Sequence, residues 1–275
     1  MKRSFLTCIF LMTVVVPVWA DFIAVGFDSG RIARINEVTG ALQLIGTSPD
    51  VGLTASLTRD PTTGTFYTVS GLEAGGIRKL FTLDPNTGQT TLVAPLSQNL
   101  VIEALAASPT SGLLYATSDL DNTLYTINPR TGQVSRVGSM GLGFSDAYGL
   151  AFAPDGTLYG YTNINGETGN SGPGLFRVDP VTAAVTILTP AGISPIPQVQ
   201  DLAFAPDGTL WEGGLGAFEK VNLQTGLSAG SGHAVSFDIR GMAFLPAAAV
   251  PEPASFLLLT AGLLGVIALR RRSLR

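Results

Sequence analysis

The sequence predicts an all-β fold assembled from copies of one four-stranded unit. The best-preserved copy, residues 149–189, holds two pairs of short apolar runs, one pair around the turn Pro154-Asp155-Gly156 and one around Pro180-Val181-Thr182. Short apolar runs separated by Pro, Asp and Gly are typical of β-hairpins. One such small sheet cannot cover both of its apolar faces, so the copies must stack on one another.

Further copies begin at Ala55, Ala104 and Asp201. The last turn of each unit closes on a glycine, except in one copy where alanine replaces it: Gly40, Gly88, Gly132, Ala183 and Gly226, at spacings of 48, 44, 51 and 43 residues. Four strands repeating at this period are the sequence signature of a β-propeller blade.

The two ends of the repeat region complete one unit between them. Residues 22–27, 31–37 and 41–46 supply three strands, and residues 240–246 supply the innermost one. We therefore predict a five-bladed β-propeller over residues 21–246, closed by N- and C-terminal strands in one blade, which removes open sheet edges. The repeat pattern resembles β-propellers of the NHL and kelch kind.

The first 20 residues read as a signal peptide. Lys2 and Arg3 precede an apolar run, and small residues lead to Ala20, after which signal peptidase is expected to cleave. Cys8, the single cysteine, lies in this segment. The mature protein is therefore expected to have no disulfide, thiol nucleophile or cysteine metal ligand.

The C-terminus has three parts after a linker at residues 247–250. Pro251, Glu252 and Pro253 precede an apolar run at residues 256–269, and Arg270, Arg271 and Arg272 follow it. As a helix this run would rise about 21 Å, less than the ~30 Å hydrocarbon core, so flanking residues and snorkelling arginines must complete a membrane span. The positive-inside rule keeps the arginines cytoplasmic.

Residues 251–275 resemble the PEP-CTERM sorting signal of Gram-negative bacteria. The alternative is an ordinary single-span membrane anchor, which has the same hydropathy. Only the Pro-Glu-Pro triplet favours a sorting signal over such an anchor. The resemblance implies export, transient anchoring in the inner membrane and recognition by an exosortase. It also implies a final place at the cell surface or outside the cell, often beside exopolysaccharide.

The charge of the exported part argues against nucleic-acid binding. Residues 21–250 contain 10 Lys and Arg against 19 Asp and Glu, a net charge of −9. Neutralising phosphates needs a cationic surface, so nucleic acid is excluded as a partner.

Alignment of the repeats places one residue of each innermost strand in a ring at a channel mouth: Ala55, Glu103, Tyr148, Gln200 and Arg240. Such a ring would suit a small polar ligand, although any water-filled channel shows similar residues. Asp201 would join the ring only if its strand is twisted or bulged.

Long loops supply weaker candidates. Residues 162–174 carry Asn163, Asn165 and Glu167, and residues 70–79 and 117–123 form two further loops on the same face. Asp119 and Asp121 resemble half of a calcium loop, but the glycine and distal glutamate are missing, so a solvated turn is the alternative. No other metal or cofactor is predicted, and His233 is expected in a solvated loop.

These observations favour a non-enzymatic surface or matrix protein that binds an extracellular glycan or an envelope protein. The alternative is a hydrolase of lactones or glycosides at the channel mouth. In that alternative Glu103 would act as the acid, Tyr148 as an orienting donor and Arg240 as a charge stabiliser.

Overall fold

The structure is a computed structural model that describes residues 21–26, 30–48, 50, 56–70, 76–118, 121–142, 147–162, 174–189, 199–227, 229 and 232–245. These residues lie within one compact unit, residues 20–246. The strands that it contains, in chain order, are β1 (Asp21–Gly26), β2 (Arg31–Asn36), β3 (Leu42–Thr47), β4 (Leu57–Arg59), β5 (Phe66–Val69), β6 (Lys79–Leu83), β7 (Thr90–Pro95), β8 (Ile102–Ala107), β9 (Leu114–Ser118), β10 (Thr123–Ile127), β11 (Val134–Ser139), β12 (Ala147–Phe152), β13 (Leu158–Thr162), β14 (Leu175–Val178), β15 (Val185–Ile187), β16 (Val199–Phe204), β17 (Leu210–Val221) and β18 (His233–Phe244).

Three predicted units form separate four-stranded antiparallel sheets in which neighbours in sequence are neighbours in space. These sheets are β4 to β7, β8 to β11 and β12 to β15. Turn chemistry and strand length therefore suffice to build the local meander, as expected from the repeat, and the all-β class is confirmed.

The chain ends share one sheet. β18 pairs antiparallel with β1, so that Ile23 faces Ala243 and Ala24 faces Met242. The sheet has six strands in the order β16, β17, β18, β1, β2, β3. The predicted closure by N- and C-terminal strands is therefore confirmed.

The unit that begins at Asp201 departs from the repeat. β17 continues as one strand for 12 residues, past a bulge at Gly216, where φ is 70°. Its second half pairs with the first half of β18, which places Phe218 opposite His233. The count of five blades stays a prediction, because β16 and β17 share a sheet with the strands from the chain ends.

The expectation of a solvated loop at His233 is wrong. His233 begins β18 and its ring lies 5.5 Å from the ring of Phe218. The Gly/Ser-rich flank at residues 227–232 suggested a loop, whereas the strand is stabilised from outside by its partner β17 and by apolar packing.

One turn recurs in every unit. The five residues Gly40, Gly88, Gly132, Ala183 and Gly226 all have positive φ, between 63° and 70°. Each amide donates a hydrogen bond to the carbonyl of an Asn or Asp four residues earlier. The side-chain oxygen of that residue accepts the amide two residues after it, which is an Asx turn.

These turns also join neighbouring units. A methyl group added at Gly132 would overlap the carbonyl oxygen of Pro95, one added at Gly88 would lie 3.3 Å from Gly46, and one added at Gly40 would lie 2.8 Å from His233. Each of these turns therefore packs on the preceding unit, and the turn of the first unit packs on the last unit.

Apolar side chains fill the spaces between units. Within the described residues they form five clusters, four of them between neighbouring sheets and one where β16 and β17 meet β1 and β2. The sheets therefore stack face to face, as the repeat requires.

Candidate functional site

A bulge interrupts the first strand of four units at the same place. The antiparallel pairing of each of β8, β12, β16 and β18 with a neighbouring strand shifts register at one point, where one residue is skipped. The skipped residues are the predicted ring members Glu103, Tyr148, Gln200 and Arg240. Ala55, the fifth member, lies outside the described residues.

A bulge leaves its extra residue unpaired and turns the side chain away from the sheet face that it would otherwise join. The first strands of neighbouring units also contact one another around the ring, as β12 does with β8 and β16, and β18 does with β16 and β4. The four skipped residues therefore occupy equivalent positions on first strands that neighbour one another.

One part of the ring is hydrogen-bonded across two units. Arg240 Nη1 donates to Gln200 Oε1 at 3.0 Å, and Arg240 Nε donates to Asp238 Oδ2 at 3.1 Å. The side chains of Arg240 and Asp238 remain about one-fifth exposed. The hydrogen bond to Gln200 therefore orients the Arg240–Asp238 ion pair, which remains partly exposed to solvent.

Arg78 is a further candidate residue that sequence reasoning missed. Arg78, in the predicted loop at residues 70–79, is only 6% exposed, and its Nη1 donates to the carbonyl oxygen of Ser70 at 2.9 Å. Burial lowers the pKa of Arg78, while the Glu103 carboxylate acts in the opposite direction. Arg78 therefore belongs to the electrostatic environment of the ring.

Two further acids are buried below the ring. The bulge in β16 brings Asp201 inward, where it is fully buried and accepts hydrogen bonds from the amides of Leu202 and Met242. Glu212 on β17 is 1% exposed. Both carboxyl groups are enclosed and do not reach the solvent at the mouth.

The loop candidates are only partly described. Asp121 Oδ2 accepts a hydrogen bond from the Tyr125 hydroxyl at 2.7 Å, and burial together with Asp121 raises the pKa of that hydroxyl. Asp119, Asn163, Asn165 and Glu167 lie outside the described residues. Among those that are described, no three His, Cys, Asp or Glu side chains are grouped to hold a metal, and the calcium site stays a prediction.

The predicted signal peptide and sorting tail also lie outside the described residues, including the six motif residues Pro251, Glu252, Pro253, Arg270, Arg271 and Arg272. In the described part of the chain no helix has the length and hydrophobicity to cross a membrane.

The candidate residues include donors and acceptors of both charges. Arginine and tyrosine donate, carboxylates accept, and the Gln200 amide can do either. This composition suits a ligand with many hydroxyl groups better than it suits an apolar one.

Solved structures with a similar fold are β-propellers. A chain in the crystal structure of a nidogen/laminin complex matches with a TM-score of 0.57 at 12% identity, over 83% of this chain and 99% of that one. TolB from Acinetobacter baumannii matches with a TM-score of 0.52 at 14% identity, over 82% of this chain and 66% of that one. At these identities the likeness concerns the fold alone.

Sequence comparison divides the chain into two matched regions. No curated protein matches it significantly. Residues 249–272 match the PEP-CTERM protein-sorting motif, so the protein carries the signal of exosortase-sorted, exported proteins. Residues 22–169, more than half of the chain, match the model described as "Repeat of unknown function (DUF6923)", and the chain therefore belongs to that family.

Proposed function

We propose that this protein is a non-enzymatic binding propeller of the cell surface or extracellular matrix, and that the ring at its channel mouth binds an extracellular glycan. The observation that carries the proposal is the recurrence of one bulge in four first strands, each at Glu103, Tyr148, Gln200 or Arg240. Bulges concentrate near functional sites because they re-aim side chains.

The ring is supported as a binding site by its balance of groups. Arg240 donates hydrogen bonds to Gln200 and Asp238, and the Glu103 carboxylate interacts electrostatically with Arg78. The site thus offers both cations and acceptors, and sugar hydroxyls can bond to both kinds of group. No described histidine lies at the ring, which supports binding over acid-base chemistry by imidazole.

We propose five blades for the propeller. The repeated turn occurs five times, and five apolar clusters separate the units in the described residues. In this interpretation the six-stranded sheet contains two blades that share β18, whose first half serves one and second half the other.

We propose that export proceeds through removal of residues 1–20, transient anchoring in the inner membrane by residues 256–269, and cleavage near Pro251–Pro253 by an exosortase. The sorting motif supports this order. The released propeller would then associate with exopolysaccharide at the surface.

The decisive experiment compares binding and turnover in the exported protein and its Glu103→Gln variant. Binding of glycans is measured by titration calorimetry, and hydrolysis is measured on glycoside and lactone substrates. Asp207→Asn, an exposed turn residue, is the matched control.

Saturable glycan binding that weakens in Glu103→Gln, without turnover, supports the proposal. Turnover that disappears only in Glu103→Gln would establish the hydrolase instead. If neither is seen, an envelope protein becomes the partner to identify by affinity capture.

A further inference from the structure

Arg78 is the one buried basic residue in the described part of the chain. Its guanidinium donates through Nη1 to Ser70, and no described carboxylate lies within the 4.0 Å that defines an ion pair. Burying a charge without a partner is costly, and native proteins keep such groups where they serve a ligand or a network. Arg78 therefore has unfilled capacity for an anion.

Arg78 also lines a pocket of about 40 Å³. Its other lining residues include Asp50, Ser70, Ile77, Lys79 and Phe81, and Ile77 is 57% exposed. Because about 10–15 Å³ of such space holds one water, the pocket admits a group the size of a carboxylate.

The charges around the pocket favour an anion. Arg78 and the exposed Lys79 are both positive, whereas Asp50 is exposed and its Oδ2 already accepts a hydrogen bond from Thr90 Oγ1 at 3.2 Å. Glu103 and Arg78 do not form an ion pair. The charge of the guanidinium is therefore not neutralised by a direct contact with that carboxylate.

The shape of the Arg78 guanidinium indicates which kind of anion it would bind. A guanidinium offers two parallel N–H donors that match the two oxygens of a carboxylate. Val69 and Leu80, which adjoin the pocket residues Ser70 and Lys79, pack in one apolar cluster with Ile102, the residue before Glu103. A sugar whose carboxylate enters the pocket would therefore present its hydroxyls to the ring.

We infer that Arg78 binds the carboxylate of a uronic acid unit, so that the glycan held at the ring is an acidic polysaccharide. This inference rests on the proposed glycan-binding function and adds the class of sugar. The rest of the saccharide lies outside the pocket, along Glu103 and its neighbours in the ring.

The test titrates the exported protein with tetrasaccharides of galacturonate, glucuronate and mannuronate, and with their carboxyl-reduced counterparts, which have the same backbones without the charge. Acetate and the free uronates are titrated in parallel. We expect at least one acidic tetrasaccharide to bind about 10- to 100-fold more tightly than its neutral counterpart, the range for a hydrogen-bonded charged group.

Arg78→Gln should abolish this preference and leave the affinity for the neutral tetrasaccharide unchanged. Arg136→Gln, which removes an exposed arginine on β11, controls for net charge. Ile77→Glu is a second variant that leaves the buried residues intact and should repel the acidic ligand. Ile187→Glu, 58% exposed on β15, is its control. Thermal unfolding confirms that each variant is folded.

The possible results separate the inference from the function on which it rests. Equal affinity for acidic and neutral tetrasaccharides, or a preference that survives in Arg78→Gln, overturns the uronate assignment and leaves glycan binding in place. Acetate binding as tightly as the acidic tetrasaccharide overturns it as well, because the pocket would then hold a simple anion. Binding of no saccharide at all overturns the proposed function itself.

Discussion

The carboxylate of Asp201 on β16 lies 2.7 Å from the backbone nitrogen of Met242 on β18 and accepts its hydrogen bond. The same carboxylate accepts the amide of Leu202 at 2.9 Å. One buried side chain thus joins the first strands of two units, at the place where the two chain ends close the ring. Gly241 lets β4 pack close to β18 here, because an added Cβ would lie 2.5 Å from the Leu57 nitrogen.

Replacing Asp201 should destabilise the propeller strongly. Asp201→Ala leaves two buried amides without an acceptor, and each costs about 1–3 kcal/mol, so the free energy of unfolding should fall by ~2–6 kcal/mol. Asp201→Asn keeps one acceptor oxygen and should cost less. Urea denaturation measures both, with Asp207→Ala in an exposed turn as control. Equal losses in Asp201→Ala and Asp207→Ala would contradict the connection between β16 and β18.

Alanine substitutions at two glycines can separate the contribution of packing between units to stability from the contribution of backbone strain. Gly132 and Gly112 have nearly equal φ, 69° and 66°, but an added methyl group meets Pro95 at Gly132 and nothing within 4 Å at Gly112. Both alanine variants should lose about 1–2 kcal/mol from the left-handed conformation. Gly132→Ala should lose a further ~1–3 kcal/mol from the clash. Chemical denaturation measures the difference, and indistinguishable stabilities would refute the close turn-to-unit contact.

Glu212 should make stability depend on pH. Burial raises the pKa of its carboxyl from 4.5 to about 8, and the charge of Glu219 adds to the shift. Because the folded pKa is above the unfolded one, the folded state retains a proton that the unfolded state releases between these two values. The contribution of the protonated Glu212 carboxyl to the free energy of unfolding is complete below pH 4.5 and is lost as the pH rises through about 8.

The expected loss of unfolding free energy over this range is of the order of a few kcal/mol. Glu212→Gln cannot titrate and should show a flatter pH profile. Asp201 shifts in the same direction, so the difference between wild type and variant isolates Glu212. Denaturation at a series of pH values from 4 to 9 is the measurement, and parallel profiles would show that Glu212 is ionised in the folded state.

Processing is testable by intact mass. Protein recovered from the envelope or medium should begin at Asp21 and lack Arg270–Arg272 if the proposed signal-peptidase and exosortase cleavages take place. Replacing Pro251 and Pro253 by alanine should leave the full tail on a membrane-bound species. Release of a protein that still carries Arg270–Arg272 would rule out sorting by cleavage.

The sequence by itself determined the repeated unit, its turns and its closure. The Asx turns depend on hydrogen bonds between residues two to four apart, so local residue types specify them, and even Ala183 adopts the conformation expected for glycine, with φ 63°. The alignment of repeats also gave Glu103, Tyr148, Gln200 and Arg240 equivalent positions, and each of these copies bulges at the same step.

Only the tertiary structure decided which of these residues meet. Arg240 and Gln200 are 40 residues apart, and Met242 and Asp201 are 41 apart, so no local pattern could pair them. The continuous β17 and the strand position of His233 arise from packing against the closing strand, which overrides the loop-like composition of that segment. The buried Arg78 was hidden for the same reason. Whether a described carboxylate pairs with it depends on where distant parts of the chain lie, and folding alone sets those distances.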